Sequence, residues 1–201
     1  MKDAITCTVS SFQPGSNSLA VCRPQTENKL HFSIAKALFW MCKNSVMWRC
    51  KGECVTMSRD QALSRIDDYF NNGDFEAELA RRIAFKTESN LAGCEAALQA
   101  YLDDELVPCL ADLGFECEIF PNPRADAGPF LVARRIEGDD LPTVMTYGHG
   151  DVVAGYDTQW DNQMSPWHIT KNGKRWYGRG TADNKGQHTI NIAALKTVLE
   201  T

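Results

Sequence analysis

Residues 143–151 read Thr-Val-Met-Thr-Tyr-Gly-His149-Gly-Asp151, and residues 176–186 read Trp-Tyr-Gly-Arg-Gly-Thr-Ala-Asp183-Asn-Lys-Gly. In the first stretch an apolar strand, Leu141 to Tyr147, delivers a His and an Asp two residues apart. The second is a Gly-rich turn that opens a helix. In open α/β sheets ligands bind at the carboxyl ends of the strands, so His149 is predicted at such an edge. A neutral imidazole is a good zinc ligand. Asp151, two residues on in extended chain, projects to the same side. It can accept a hydrogen bond from the second ring nitrogen, which fixes the tautomer and makes the ligand more basic. Asp183 stands where a carboxylate can bridge two metal ions about 3.5–4 Å apart. Blander readings stand beside these. A short His-x-Asp pair carries a high false-positive risk, and an Asp before a helix is a common N-cap. A phosphate-binding loop at Gly178–Gly186 is disfavoured, because neither the nucleotide fingerprint nor GxxxxGK[ST] is present.

Working outward, Asn172-Gly173 marks a two-residue hairpin between Trp167–Lys171 and Lys174–Tyr177. From about Asn184 the chain reads as helix, with Ile190, Ala194 and Val198 on one face. Upstream, Ser58 is a predicted N-cap for a helix carrying Ala62, Ile66, Tyr69 and Phe70. Asn72-Gly73-Asp74 ends that helix and caps another over about Phe75–Ile83. A long helix follows Asn90, kinked by Pro108 and closed by Gly114. Phe115–Ile119 alternates apolar and acidic residues like a half-buried strand, and Phe130–Arg135 is strand-like. Helices leading into mixed strands and then a helix predict a layered α/β domain.

The 201 residues carry a net charge of -5, which favours neither nucleic acid nor an anionic membrane surface. Residues 1–56 hold seven Lys/Arg against three Asp/Glu; residues 57–201 hold fourteen against twenty-three. Five of eight cysteines (Cys7, Cys22, Cys42, Cys50, Cys54) fall in the first segment. Its only periodic stretch is a short amphipathic helix at Phe32–Trp40. We therefore expect 1–56 to be an extension outside the fold, with the domain at 57–201. A zinc reading of Cys42, Cys50 and Cys54 lacks a partner CxxC or HxxxH. Cys94, Cys109 and Cys117 fall on apolar faces and read as reduced core residues. No apolar run approaches the roughly 20 residues of a membrane span, and the start lacks the pattern of a signal peptide. A cytoplasmic location is the expectation.

Together the two quoted stretches resemble the zinc-dependent amidohydrolase and exopeptidase family of acetylornithine deacetylase, succinyl-diaminopimelate desuccinylase and glutamate carboxypeptidase. The resemblance covers about residues 57–201, the amino-terminal part of the catalytic domain. It implies a layered α/β/α metallopeptidase-type fold, truncated at Thr201. It also implies two Zn2+ ions in the complete enzyme and a small N-acyl amino acid or peptide substrate. By position, His149 resembles a ligand of one zinc, Asp183 the carboxylate bridging both, and Asp151 the catalytic-site residue that holds the histidine. The family's general base belongs to a later Glu-Glu pair. That pair, the remaining ligands and the inserted domain through which complete relatives form homodimers do not occur in these 201 residues. Two expectations follow: a partial metallohydrolase, inactive alone or completed by a second polypeptide, or a non-catalytic product. His188 and His168 read as packing or surface histidines, and Trp160, Trp167 and Trp176 as packing. Lys185 and Arg179 receive no role.

Overall fold

Ser58 caps the first helix as its sequence predicts. Its hydroxyl accepts from the Gln61 amide at 3.2 Å, and its own N–H donates to the Gln61 side chain at 2.8 Å, a reciprocal capping box. The computed structural model describes residues 5–9, 58–124, 127–138, 141–161 and 163–199. The helix expected at Phe32–Trp40 and Cys22, Cys42, Cys50 and Cys54 lie outside them. Helix α1 spans Arg59–Asn71 and α2 spans Asp74–Ala84.

The helix expected after Asn90 starts at Glu95. It runs as α3 (Glu95–Ala100), widens into a π-helical stretch (Tyr101–Leu106), and resumes as α4 (Val107–Ala111). Pro108 accounts for the widening. It offers no N–H, and its ring crowds the carbonyl four residues back. One extra residue per turn relieves that crowding, and the Val107 N–H bonds Leu102 O, five residues back. After α4, Gly114 adopts φ 78°. The Gly114 amide bonds Ala111 O at 2.8 Å and the Phe115 amide bonds Leu110 O at 3.1 Å, a Schellman closure.

Four strands form the main sheet: β1 (Ile5–Val9), β2 (Glu116–Phe120), β3 (Phe130–Arg135) and β4 (Met145–Gly148). Their order is β2-β3-β1-β4. Strand β1 pairs antiparallel with β3 and parallel with β4, from Thr6 opposite Met145 to Val9 opposite Gly148. This corrects the expectation that nothing in residues 1–56 joins the fold. An inner strand is held by backbone ladders on both sides, and strand preference depends more on context than on intrinsic propensity. Weak periodicity therefore hid it. The second sheet is the expected hairpin, β5 (Thr170–Asn172) with β6 (Arg175–Tyr177). Its closing pair is Asn172 and Arg175, which places Gly173-Lys174 in the turn.

Helix α5 (Lys185–Leu199) lies between two apolar clusters. Ile192 and Leu195 join Tyr101, Leu102, Leu106, Leu110, Leu131 and Ala133 beneath the sheet. Ile190, Ala193 and Ala194 join Ile66, Phe75, Leu79 and Ile83 of α1 and α2. Phe70 stacks on Trp176 at 5.9 Å and ties the hairpin to α1. Glu116, Glu118, Arg134, Met145 and Tyr147, which alternate with the core-facing residues of their strands, are exposed. The described residues thus build the sheet and the helices on one of its faces, two layers of the expected α/β architecture. Among them, no helix is long and apolar enough to cross a membrane.

Candidate metal centre

His149 follows the last residue of β4, at the carboxyl end predicted for it. Its Nδ1 lies 3.1 Å from Asp151 Oδ1, and its Nε2 lies 3.0 Å from Asp183 Oδ1. The three residues singled out in the sequence therefore meet, with Asp151 behind the imidazole and Asp183 in front of it. Their exposures differ with their places: the Asp151 side chain is 4% exposed, His149 21% and Asp183 84%. The hydrogen bond that Asp151 accepts from the imidazole raises the His149 pKa above its ordinary value. Partial burial opposes that, and the charges of Asp151 and Asp183 add to it.

Neighbouring segments fix this geometry. The Val152 amide donates to Thr87 O at 2.8 Å, and the Ser89 amide to Val152 O at 3.1 Å, a short parallel bridge beyond the end of β4. The Thr87 hydroxyl donates to Gly150 O at 2.6 Å. The Ser89 hydroxyl donates to Asp151 Oδ2 at 2.7 Å. Asp151 thus accepts from Ser89 on one oxygen and faces the imidazole with the other. The His149 amide donates to Asn184 Oδ1 at 3.1 Å, across to the Gly-rich turn. Thr87 and Ser89 escaped the sequence reading. They sit in an unpatterned stretch after α2, more than sixty residues from the atoms they hold, and nothing local marks them. Asn184 was in view beside Asp183 but without a role.

Lys185 closes the turn. Its ammonium donates to the Arg82 and Phe85 carbonyls at 2.9 and 2.7 Å, at the carboxyl end of α2. Burial pushes its pKa down to about 7. A Cβ at Gly186 would lie 1.9 Å from Thr181 O, so the turn folds onto the start of α5 only with glycine there. His168 is exposed, and His188 is buried in the fold, as their bland readings have it.

An imidazole nitrogen and a carboxylate oxygen facing the same space, with the second ring nitrogen held by a buried carboxylate, is donor chemistry suited to zinc. Among the described residues, however, no group of three or more His, Cys, Asp or Glu converges to enclose a metal ion. What the residues present fit is part of a site.

Parts of the chain are similar to known proteins. The cysteinylglycine-S-conjugate dipeptidase of Corynebacterium striatum is 33% identical over 92 residues, which is 45% of this chain and 19% of that protein. Acetylornithine deacetylase of Pectobacterium carotovorum is 33% identical over 87 residues, 43% of this chain and 22% of that one. In three dimensions the chain resembles human carnosine dipeptidase 1 with a TM-score of 0.60 at 22% identity, over 71% of this chain and 32% of that structure. The dipeptidase Dug1p of Saccharomyces cerevisiae gives 0.57 at 21% identity, over 69% and 30%. The chain thus spans between 19% and 32% of the length of these relatives. Residues 145–201 match the model of peptidase family M20/M25/M40. That span holds β4, His149, Asp151 and Asp183, and over it the chain is similar to this family of peptidases.

Proposed function

We propose that this chain carries the His149–Asp183 part of a zinc site in a hydrolase that cleaves amide bonds of N-acyl amino acids or dipeptides. The convergence of His149 Nε2 and Asp183 Oδ1 at 3.0 Å carries the reading. The names of the relatives, dipeptidases and deacetylases, support this choice of substrate class. His149 and Asp183 would hold the ion, with Asp183 the carboxylate shared by a second ion. Zinc in such a place acts as a Lewis acid toward a carbonyl oxygen and makes water nucleophilic at neutral pH. Asp151 holds the Nδ1 proton, so that the Nε2 lone pair faces the ion. Ser89 keeps Asp151 in place, and Asn184 ties the His149 backbone to the turn bearing Asp183. Zinc sites use three or four protein ligands; with two among the described residues, the chain alone would bind zinc weakly and would not turn substrate over.

The test is zinc binding and hydrolysis by the purified chain, on a panel of N-acetyl, N-succinyl and dipeptide substrates, with His149→Ala and Asp183→Asn beside it. Weak zinc binding that both substitutions abolish, without turnover, supports the partial site. Turnover lost in His149→Ala would support the hydrolase but overturn the inactivity of the chain. Zinc binding indifferent to both substitutions would overturn the site itself.

A further inference from the structure

Beneath the Gly148-His149-Gly150 segment lie two buried polar side chains, Tyr101 and His188. Tyr101 is 1% exposed and His188 3%. The Tyr101 hydroxyl oxygen lies 2.5 Å from His188 Nε2, across 87 residues of chain. Each side chain packs against one of the glycines flanking His149, Tyr101 through its ring and His188 through its Cβ. A Cβ at Gly150 would stand 2.3 Å from Tyr101 Cε1, and one at Gly148 would stand 2.7 Å from His188 Cβ. With the hydroxyl donating to Nε2, the ring proton of a neutral His188 sits on Nδ1. That atom is buried without a hydrogen-bond partner of good geometry, and the His149 backbone lies beside the ring.

These side chains are costly where they are. Tyr101 sits in a cluster with Leu102, Leu106, Leu110 and Ile192, where an apolar residue would fill the same space. A buried polar atom whose hydrogen bond is poorly made costs stability. The other supports of Tyr101 are specific too. It stands at the start of the π-helical stretch, with the Lys185 ammonium 4.8 Å above its ring and Phe85 edge-on at 5.4 Å. Departures of this kind from regular helix recur at functional sites.

We propose that Tyr101 and His188 are positioning residues: a hydrogen-bonded pair that clamps the backbone on both sides of His149 and so aims its imidazole between Asp151 and Asp183. The pair acts through the two glycines. Its effect on metal affinity rests on the zinc reading above; the clamp on the backbone does not.

The experiment uses the full chain with Tyr101→Phe, His188→Leu, His188→Gln and the double variant Tyr101→Phe/His188→Leu. Amide hydrogen exchange is measured without metal, and zinc affinity by calorimetry. Tyr101→Phe keeps the ring and removes only the hydroxyl. It should speed exchange of the amides at 148–151 by about tenfold while amides of α2 keep their rates, a local opening rather than a global one. Zinc affinity should fall by about threefold or more in either single variant, and the double variant should fall no further, as for two members of one interaction. His188→Gln retains an acceptor for Tyr101 and should recover part of what His188→Leu loses. Unchanged exchange at 148–151 in Tyr101→Phe overturns the clamp. So does an increase matched by α2, which marks general destabilisation. If the unsubstituted chain binds no zinc, the zinc reading fails, and the exchange rates alone decide the clamp.

Discussion

On the zinc reading proposed above, a proton and a metal ion would compete for one nitrogen of His149. Without metal, Nε2–H can donate to Asp183 while Nδ1–H donates to Asp151, which is why the imidazole keeps its proton above the usual pKa of about 6.5. Two consequences follow, with definite signs. Stability that His149 contributes to the metal-free chain is fully present below about pH 6.5 and fades as pH rises through the raised value. Zinc affinity runs the other way, because the ligand must be deprotonated, and it should climb with pH across the same window. Calorimetric titrations at several pH values check this; affinity independent of pH between 6 and 8, a span of about two units around the His range, would contradict it. Asp151→Asn keeps the shape but not the charge. It should weaken zinc binding at high pH by roughly 10–100-fold and move the pH limb downward, because the main cause of the raised pKa is gone. These three residues were legible because each is fixed by its immediate neighbours, a strand end or a tight turn. Thr87 and Ser89, which orient them, were not, since their partners are set by the fold.

Among the elements, the π-helical stretch joins the site to a buried ionic cluster. The Arg82 side chain on α2 is fully buried. It faces Glu78 at 3.1 Å and Glu105 of the π-helical stretch at 3.1 Å. Lys196 of α5 pairs with Glu78 from the other side. Burial alone would raise the Glu78 pKa; the Lys196 hydrogen bond and the Arg82 charge prevail, and it is lowered. Removing one partner of such a cluster strands the others in an apolar surround. Arg82→Met should therefore cost about 3–5 kcal/mol, read from urea unfolding; a loss under about 1 kcal/mol, the scale of an exposed pair, would mean that water reaches the cluster. Most helix boundaries could be read from caps and apolar spacing, as at Ser58 and Gly114. The π-helical widening could not. Pro108 announces a disturbance, but whether it becomes a kink or an extra residue per turn depends on what packs around Tyr101 and Leu106.

For the whole molecule, the placement of Ile5–Val9 bears on how the domain holds together. Between β3 and β4 it joins the β2–β3 pair to the strand that presents His149. Deleting residues 1–56 removes both ladders, and stability should fall by more than about 2 kcal/mol, the scale of a substantial mutational effect; an unchanged melting midpoint would return the segment to the status of an extension. Composition could not reveal this strand, because charge and cysteine content describe how a segment differs from its surroundings and not where its backbone pairs. The same contrast bears on the metal. The cysteines concentrated in residues 1–56 offer sulfur, while His149 and Asp183 offer nitrogen and oxygen. X-ray absorption at the zinc edge separates the two, since Zn–S distances are about 2.3 Å and Zn–N or Zn–O distances about 2.0–2.2 Å. For the zinc-loaded chain, the account predicts a nitrogen and oxygen shell with imidazole scattering that disappears in His149→Ala; a sulfur shell, or a spectrum that His149→Ala leaves unchanged, would contradict it.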